Sequence, residues 1–191
     1  MTIGKATTDS PRSVERADFI QAMRSLASSV TVVTTGGAAG CHGATVSAFC
    51  SVSADPPMVL VCLNAESRIA QTVAENGGFC VNVLDHSKQE LADRFAGRFD
   101  NVLQDRFDGV DLEDGVVKAP IITGCTAFRC DVNDSYLSGS HMIFIGRVVE
   151  IKGNIPEPLI YYNGNYHHLG PKNLPDSSHE PATVLHARRA G

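Results

Sequence analysis

Between residues 43 and 64 the chain reads GATVSAFCSVSADPPMVLVCLN, with small hydroxyl residues and apolar β-formers alternating up to a double proline and a second apolar run. Alternation at period two, with the prolines between the runs, predicts two strands around a tight corner. At that period Thr45 and Ser47 share one face, and Val46, Ala48 and Cys50 share the other. Small residues along the stretch (Ala44, Ser47, Ala48) let a flat ligand approach the backbone, and N–H groups near a strand end can meet phosphate or carbonyl oxygens. A plain antiparallel strand with a solvated Thr/Ser face gives the same alternation, so the period by itself does not select a ligand site.

The chain has 191 residues, 43% of them hydrophobic, which is enough for one domain with a full core. A mobile tail is expected over 1–17, a single domain over 18–170 and a second tail over 171–191. Asp18 with Gln21 fits a capping box, and Phe19, Ile20, Met23, Leu26 and Ala27 recur at helical spacing, predicting a helix over 19–28. The β-branched run 30–35 and the Gly36–Gly40 turn predict a hairpin into the Thr45 strand. A strand over 58–64 follows, then a helix capped by Ser67 and ended by Gly77-Gly78, a strand over 79–84 and a short helix over 87–96. Residues 98–120, rich in Asp, Asn and Gly, read as a long excursion of the kind that folds over a ligand. Segments 121–132, 135–138, 141–151 and 159–169 are β-like, separated by expected turns at Asn133-Asp134, Gly139 and Gly153-Asn154. Many strands, few helices and no βα alternation predict a mainly β protein, a barrel with short helices packed outside.

A net charge of −5 offers no basic face for nucleic acid. No apolar run approaches the ~20 residues of a membrane span, and the first residues lack an apolar signal core, so a cytoplasmic location is expected. Six cysteines include no CxxC pair; Cys50, Cys62, Cys80 and Cys130 lie in apolar β-like runs and read as reduced, buried hydrophobes, with no metal site. Cys41, beside His42 after the glycine-rich turn, is the one placed for exposure. The GxGxxG fingerprint of dinucleotide-binding helices is absent, because Gly36-Gly37-Ala38-Ala39-Gly40 has the wrong spacing and opens a hairpin.

Ordered blocks carry a more specific signal. Thr45-Val46-Ser47-Ala48, Cys50-Ser51-Val52-Ser53, Asp55-Pro56-Pro57, Val61-Cys62-Leu63-Asn64, Phe79 to Leu84, Gln89-Glu90-Leu91-Ala92 with Phe95-Ala96-Gly97, Gly139-Ser140-His141, Ile143 to Val148, and Pro158 to Tyr162 with Tyr166 follow in sequence. Together they resemble the short-chain flavin reductases, which supply reduced flavin to two-component monooxygenases, the reductases of aromatic hydroxylation most of all. The resemblance spans roughly residues 18 to 169. It implies an FMN-binding split barrel (a Greek-key β-barrel), a homodimer, a partner monooxygenase, and hydride transfer from NADH, less readily NADPH, to FAD or FMN.

The resemblance also implies roles for particular residues. Thr45, Val46, Ser47 and Ala48 would meet the flavin ring and ribityl chain, with Cys62, Leu63 and Asn64 lining the same groove. Ser67 and Arg68 would take the phosphate, Phe95 would pack near the flavin or its adenine, and Arg98 would reach a phosphate. His141 would contact nicotinamide, although Ser140 stands where an Asp is common, and Tyr166 would be a second contact. Two further readings stay open on the residues alone: an FMN-dependent amine oxidase of the pyridoxamine phosphate oxidase type, and a non-catalytic flavin-binding module.

Overall fold

A computed structural model describes residues 13–113, 119–155 and 157–170. The tail over 171–191 and most of the one over 1–17 lie outside the described residues. Helix α1 (Arg16–Arg24) begins earlier than expected, with Glu15 as N-cap and no side-chain cap bond. Asp18 thus sits inside the first turn, facing the positive end of the helix rather than closing a capping box. The helix ends at Arg24 because the Ser25 N–H and hydroxyl both return to the Ala22 carbonyl, at 3.1 and 2.7 Å. Of the residues expected to prolong it, Ser28 opens strand β1 (Ser28–Ser29).

The body is an antiparallel sheet of seven strands: β2 (Thr31–Thr35), β3 (His42–Val46), β4 (Phe49–Ala54), β5 (Pro57–Asn64), β6 (Gly78–Val83), β9 (Thr126–Ser138) and β10 (His141–Lys152). Their order is β3-β2-β6-β9-β10-β5-β4. The edge strands β3 and β4 are neighbours in sequence, joined by Ser47 and Ala48 alone. A sheet whose two edges share one short corner must curl until they meet, which makes a barrel with an open seam. At the seam the Cys62 N–H donates to the Ala48 carbonyl at 3.0 Å, but β3 and β4 form no ladder.

Strand β2 is buried along its whole length, and each threonine hydroxyl has a backbone acceptor: Thr31 to Val46 O (2.6 Å), Thr34 to Pro120 O (2.5 Å) and Thr35 to Gly78 O (2.7 Å). Two apolar clusters flank it. Val33, Val61, Phe79 and Phe144 pack under α2 (Arg68–Asn76), and Val32, Leu84 and Ile122 pack against Ala92 and Phe95 of α3 (Gln89–Phe95). Helix α2 follows its sequence signals, with Ser67 as N-cap and Gly77 in the left-handed conformation at φ 69°.

Three expected boundaries shift. The Asn133-Asp134 turn does not form; β9 runs through it, with Asn133 as the extra residue of a bulge opposite Ile145 and Gly146. The run over 121–132 breaks after β8 (Ile121–Ile122), which pairs with β7 (Leu112–Glu113) inside the long excursion. The run over 159–169 is a hairpin, β11 (Ile160–Tyr162) and β12 (Asn165–His167), turned by Asn163 and Gly164 at φ 49° and 82°. β1 pairs with β11 beside it.

Candidate active site

The seam opens into a groove. Its centre is a cavity of about 330 Å³ lined by Ala44, Thr45, Val46, Ser47 and Ala48 from the β3–β4 corner, Cys62, Leu63 and Asn64 from the end of β5, Ser67 and Ile69 from α2, and His141 from β10. Backbone geometry gathers them. Asn64 pairs with His141 in the β5–β10 ladder, and the Ala65 N–H donates to the Ser140 carbonyl at 3.0 Å. The Asn64 carbonyl accepts from the Ser67 N–H (3.0 Å) and hydroxyl (2.5 Å), fixing the start of α2 against the strand end. The Ser67 oxygen in turn accepts from the Ala70 N–H at 3.4 Å. His141 is exposed, with Nδ1 at 2.9 Å from the Ser140 hydroxyl.

Strand β3 ends at Val46, so the period-two pairing of Thr45 with Ser47 is lost at the corner. The Thr45 hydroxyl donates to the Ala92 carbonyl at 2.6 Å and ties the groove floor to α3, while Ser47 is left exposed. Cys50, expected in the interior, is exposed, whereas Cys62 is half-buried on the groove wall, its thiol pushed up by burial and then by Cys50. Phe95 is buried and does not line the groove. It lies under Gly43, where an added Cβ would stand 2.6 Å from its ring, and packs edge-on to Phe107 at 5.0 Å. A seven-residue helix places its last apolar residue in the core, and that outweighs any place beside a ligand.

Beyond Ser67 the groove widens into a chamber of about 580 Å³, which shares Ala44, Ser67 and Ile69 with the centre and adds Cys41, His42, Arg68, Gln104, Arg106 and Phe107 among its walls. Arg106 donates to Asp100 through two nitrogens (2.8 and 2.5 Å), to Gly43 O (3.2 Å) and to Phe95 O (2.9 Å), pinning the excursion against β3. The same arginine holds the Asp100 carboxyl below its usual range. His42 is held below the usual imidazole value by burial first, then by Arg106 and Arg68, against the smaller opposing pull of Asp100 and Asp105 on the same wall. Arg68 itself has no salt bridge among the described residues. With the free N–H groups of α2 beside it, this end suits a phosphate. His42, Gln104 and Arg106 carry no sequence signal of a site, because only the packing of the excursion brings them to Arg68.

At the other end, a chamber of about 180 Å³ shares Thr45, Val46 and Ser47 and adds Val30, Ala96, Arg98, Tyr161 and Tyr166. Among the described residues no cluster of His, Cys, Asp and Glu is arranged to hold a metal ion. A groove lined by small residues, with Arg68 and the start of α2 at one end, fits a flat ring bearing a phosphorylated tail, as flavins do.

A split barrel with such a groove at its seam defines a flavin-binding class of protein. The chain matches the Flavin reductase like domain over residues 23–170, and it belongs to that family. It is 37% identical over 158 residues to FMN reductase (NADH) RutF of Pseudomonas syringae pv. syringae, covering 82% of this chain and 88% of that one. It is 35% identical to the 4-hydroxyphenylacetate 3-monooxygenase reductase component of Salmonella dublin, covering 80% of this chain and 91% of that one. The solved NADH:FAD oxidoreductase SgcE6 of Streptomyces globisporus C-1027, in complex with NAD and FAD fragments, superposes with a TM-score of 0.74 at 30% identity, over 85% of this chain and 99% of that one. The chain is a flavin reductase, an NAD(P)H:flavin oxidoreductase.

Proposed function

We propose that the protein reduces a freely exchanging flavin with NADH in the seam groove and hands the reduced flavin to a partner monooxygenase. The observation that carries this reading is the single groove to which β3, β5, α2 and the β9–β10 hairpin all contribute, lined by small residues and ending at Ser67 and Arg68. When bound, nicotinamide and flavin would supply the redox chemistry, hydride transfer from one ring to the other. The protein's part is positioning. Ser47 and Ala48 with Cys62 and Leu63 make the slot that holds the flavin ring and ribityl chain, Ser67 and Arg68 hold the phosphate, and Asn64 fixes both. His141 offers a ring N–H to the carboxamide of nicotinamide, with the Ser140 hydroxyl holding the imidazole. Tyr166 and Arg98 meet the rest of the dinucleotide.

The wide chamber beyond Ser67 gives room for more than a single phosphate, which supports FAD over FMN. The groove is open to solvent along the seam, which supports exchange over permanent retention.

The second subunit of a homodimer is part of the proposal. Phe19 and Met23 on α1 and Leu26 just beyond its end are 56%, 48% and 58% exposed, beside a cavity of about 460 Å³ that shares Ser47 and Ala48 with the groove. An apolar face so close to the ring site is suited to be covered by a second copy, which would complete the groove wall. All six cysteines are free, in keeping with a reducing cytoplasm, and among the described residues no helix is long and apolar enough to cross a membrane.

Ser47→Phe tests the site. A phenyl group at the corner fills the slot, so flavin binding measured by fluorescence and NADH oxidation should both collapse while the far-ultraviolet circular dichroism is unchanged. Turnover at the parent rate in a folded variant would remove Ser47 from the groove.

A further inference from the structure

The small chamber at the Tyr166 end is built around a carboxylate outside its own wall. Asp93, on α3, accepts a hydrogen bond from the Tyr166 hydroxyl at 3.0 Å, and the same oxygen lies 3.2 Å from Arg98 Nε. The Asp93 side chain is 15% exposed and that of Arg98 61% exposed, so the arginine reaches outward from a fixed anchor. Burial, then the bond to Asp93, pushes the Tyr166 phenol up to about 12, and it remains a neutral donor. Arg98 is the only charged side chain lining the chamber among the described residues, and Asp93 cancels it. Tyr161 stands edge-on to Tyr166 at 5.6 Å, giving an aromatic wall.

Two ligands that both carry phosphates repel each other, and the groove has two ends. With the flavin phosphate at Ser67 and Arg68, the tail of the nicotinamide dinucleotide leaves toward the Tyr166 end. An adenosine ribose fits beside an aromatic wall and a neutral charge pair. A ribose 2′-phosphate brings about two further negative charges to an arginine that is already neutralised.

We propose that Asp93 is a specificity-determining residue, which by neutralising Arg98 makes this end of the groove accept the plain ribose of NADH and disfavour the 2′-phosphate of NADPH. The inference rests on the reductase reading given above. It concerns residues that the sequence does not bring together, since Asp93 and Tyr166 lie on α3 and β12.

The test is the ratio of kcat/KM for NADPH to that for NADH at saturating FAD, in the parent, in Asp93→Asn and in Asp93→Asn/Arg98→Ala. Asparagine keeps an oxygen for the Tyr166 hydroxyl but removes the charge, so the ratio should rise about tenfold, chiefly through a lower NADPH KM. The added Arg98→Ala should cancel that gain. A ratio within about twofold of the parent in folded Asp93→Asn, below what one nearby unit charge supplies, would overturn the proposal, as would a gain that survives removal of Arg98. Should the asparagine variant fail to fold, Arg98→Ala alone decides: leaving Asp93 unbalanced, it should lower the ratio, and an unchanged ratio overturns the proposal. Absence of NADH oxidation in the parent strikes the reductase reading instead, whereas NADH oxidation with an unmoved ratio strikes this inference alone.

Discussion

His141 acquires its place through backbone pairing. Opposite Asn64 at the start of β10, it must face whatever lies along the end of β5. Replacing it with alanine leaves the ladder intact and removes a donor from the nicotinamide side. His141→Ala should therefore raise the NADH KM or lower the hydride-transfer rate by about tenfold, the worth of one good hydrogen bond, with flavin affinity unchanged. Steady-state kinetics beside a flavin titration checks this, and parent values for both NADH parameters would free His141 from the site. Residues such as Ser47, Cys62 and Ser67 were legible because they sit in contiguous motifs that fold as units. Arg106 and His42 were not, because an arginine in an Asp-rich excursion looks like any solvated charge until Gly43 and Phe95 offer it their carbonyls. Phe95 sits in a visible motif, and its ring is buried in the core under Gly43.

At the level of elements, the boundaries that could be read were those with a local chemical cause, as at Ser67 and Gly77 around α2. The β9–β10 bulge was hidden, since Asn133-Asp134 has turn composition and only the partner strand forces it straight. Strands β6 and β9 and the residue before β9 bury three thiols, and these give the fold an alkaline limit. Burial pushes Cys80 and Cys130 from 9.0 to about 12 and Cys125 to about 11. Because the folded state holds these protons more tightly than the unfolded state, the stabilisation is full below about pH 9 and is lost as pH climbs toward 11 to 12. Urea unfolding midpoints should fall steeply over that window, with Cys80, Cys125 and Cys130 protected from thiol reagents in native protein at pH 8 while Cys50 reacts. A flat midpoint from pH 9 to 11 would contradict the burial of these thiols.

For the whole molecule, the curl of the sheet follows from one topological fact: the edge strands β3 and β4 share the Ser47–Ala48 corner. That corner places the seam, and the seam places the groove. The run of many strands with few helices and no βα alternation predicted the barrel class, yet the groove's depth depends on how α2, α3 and the excursion close over it, which no local pattern encodes. The apolar face of α1 beside the seam makes the second subunit a prediction at this scale. Sedimentation equilibrium should give twice the 20.4 kDa chain mass, and Phe19→Glu with Met23→Glu should shift it toward one; a monomeric parent would contradict the dimer. The most direct test of the central claim is anaerobic oxidation of NADH at 340 nm with FAD, FMN or no flavin added, followed together with bleaching of the flavin band. Rapid turnover that depends on added flavin, with FAD ahead of FMN, is the predicted result. Flavin binding without NADH oxidation would contradict it.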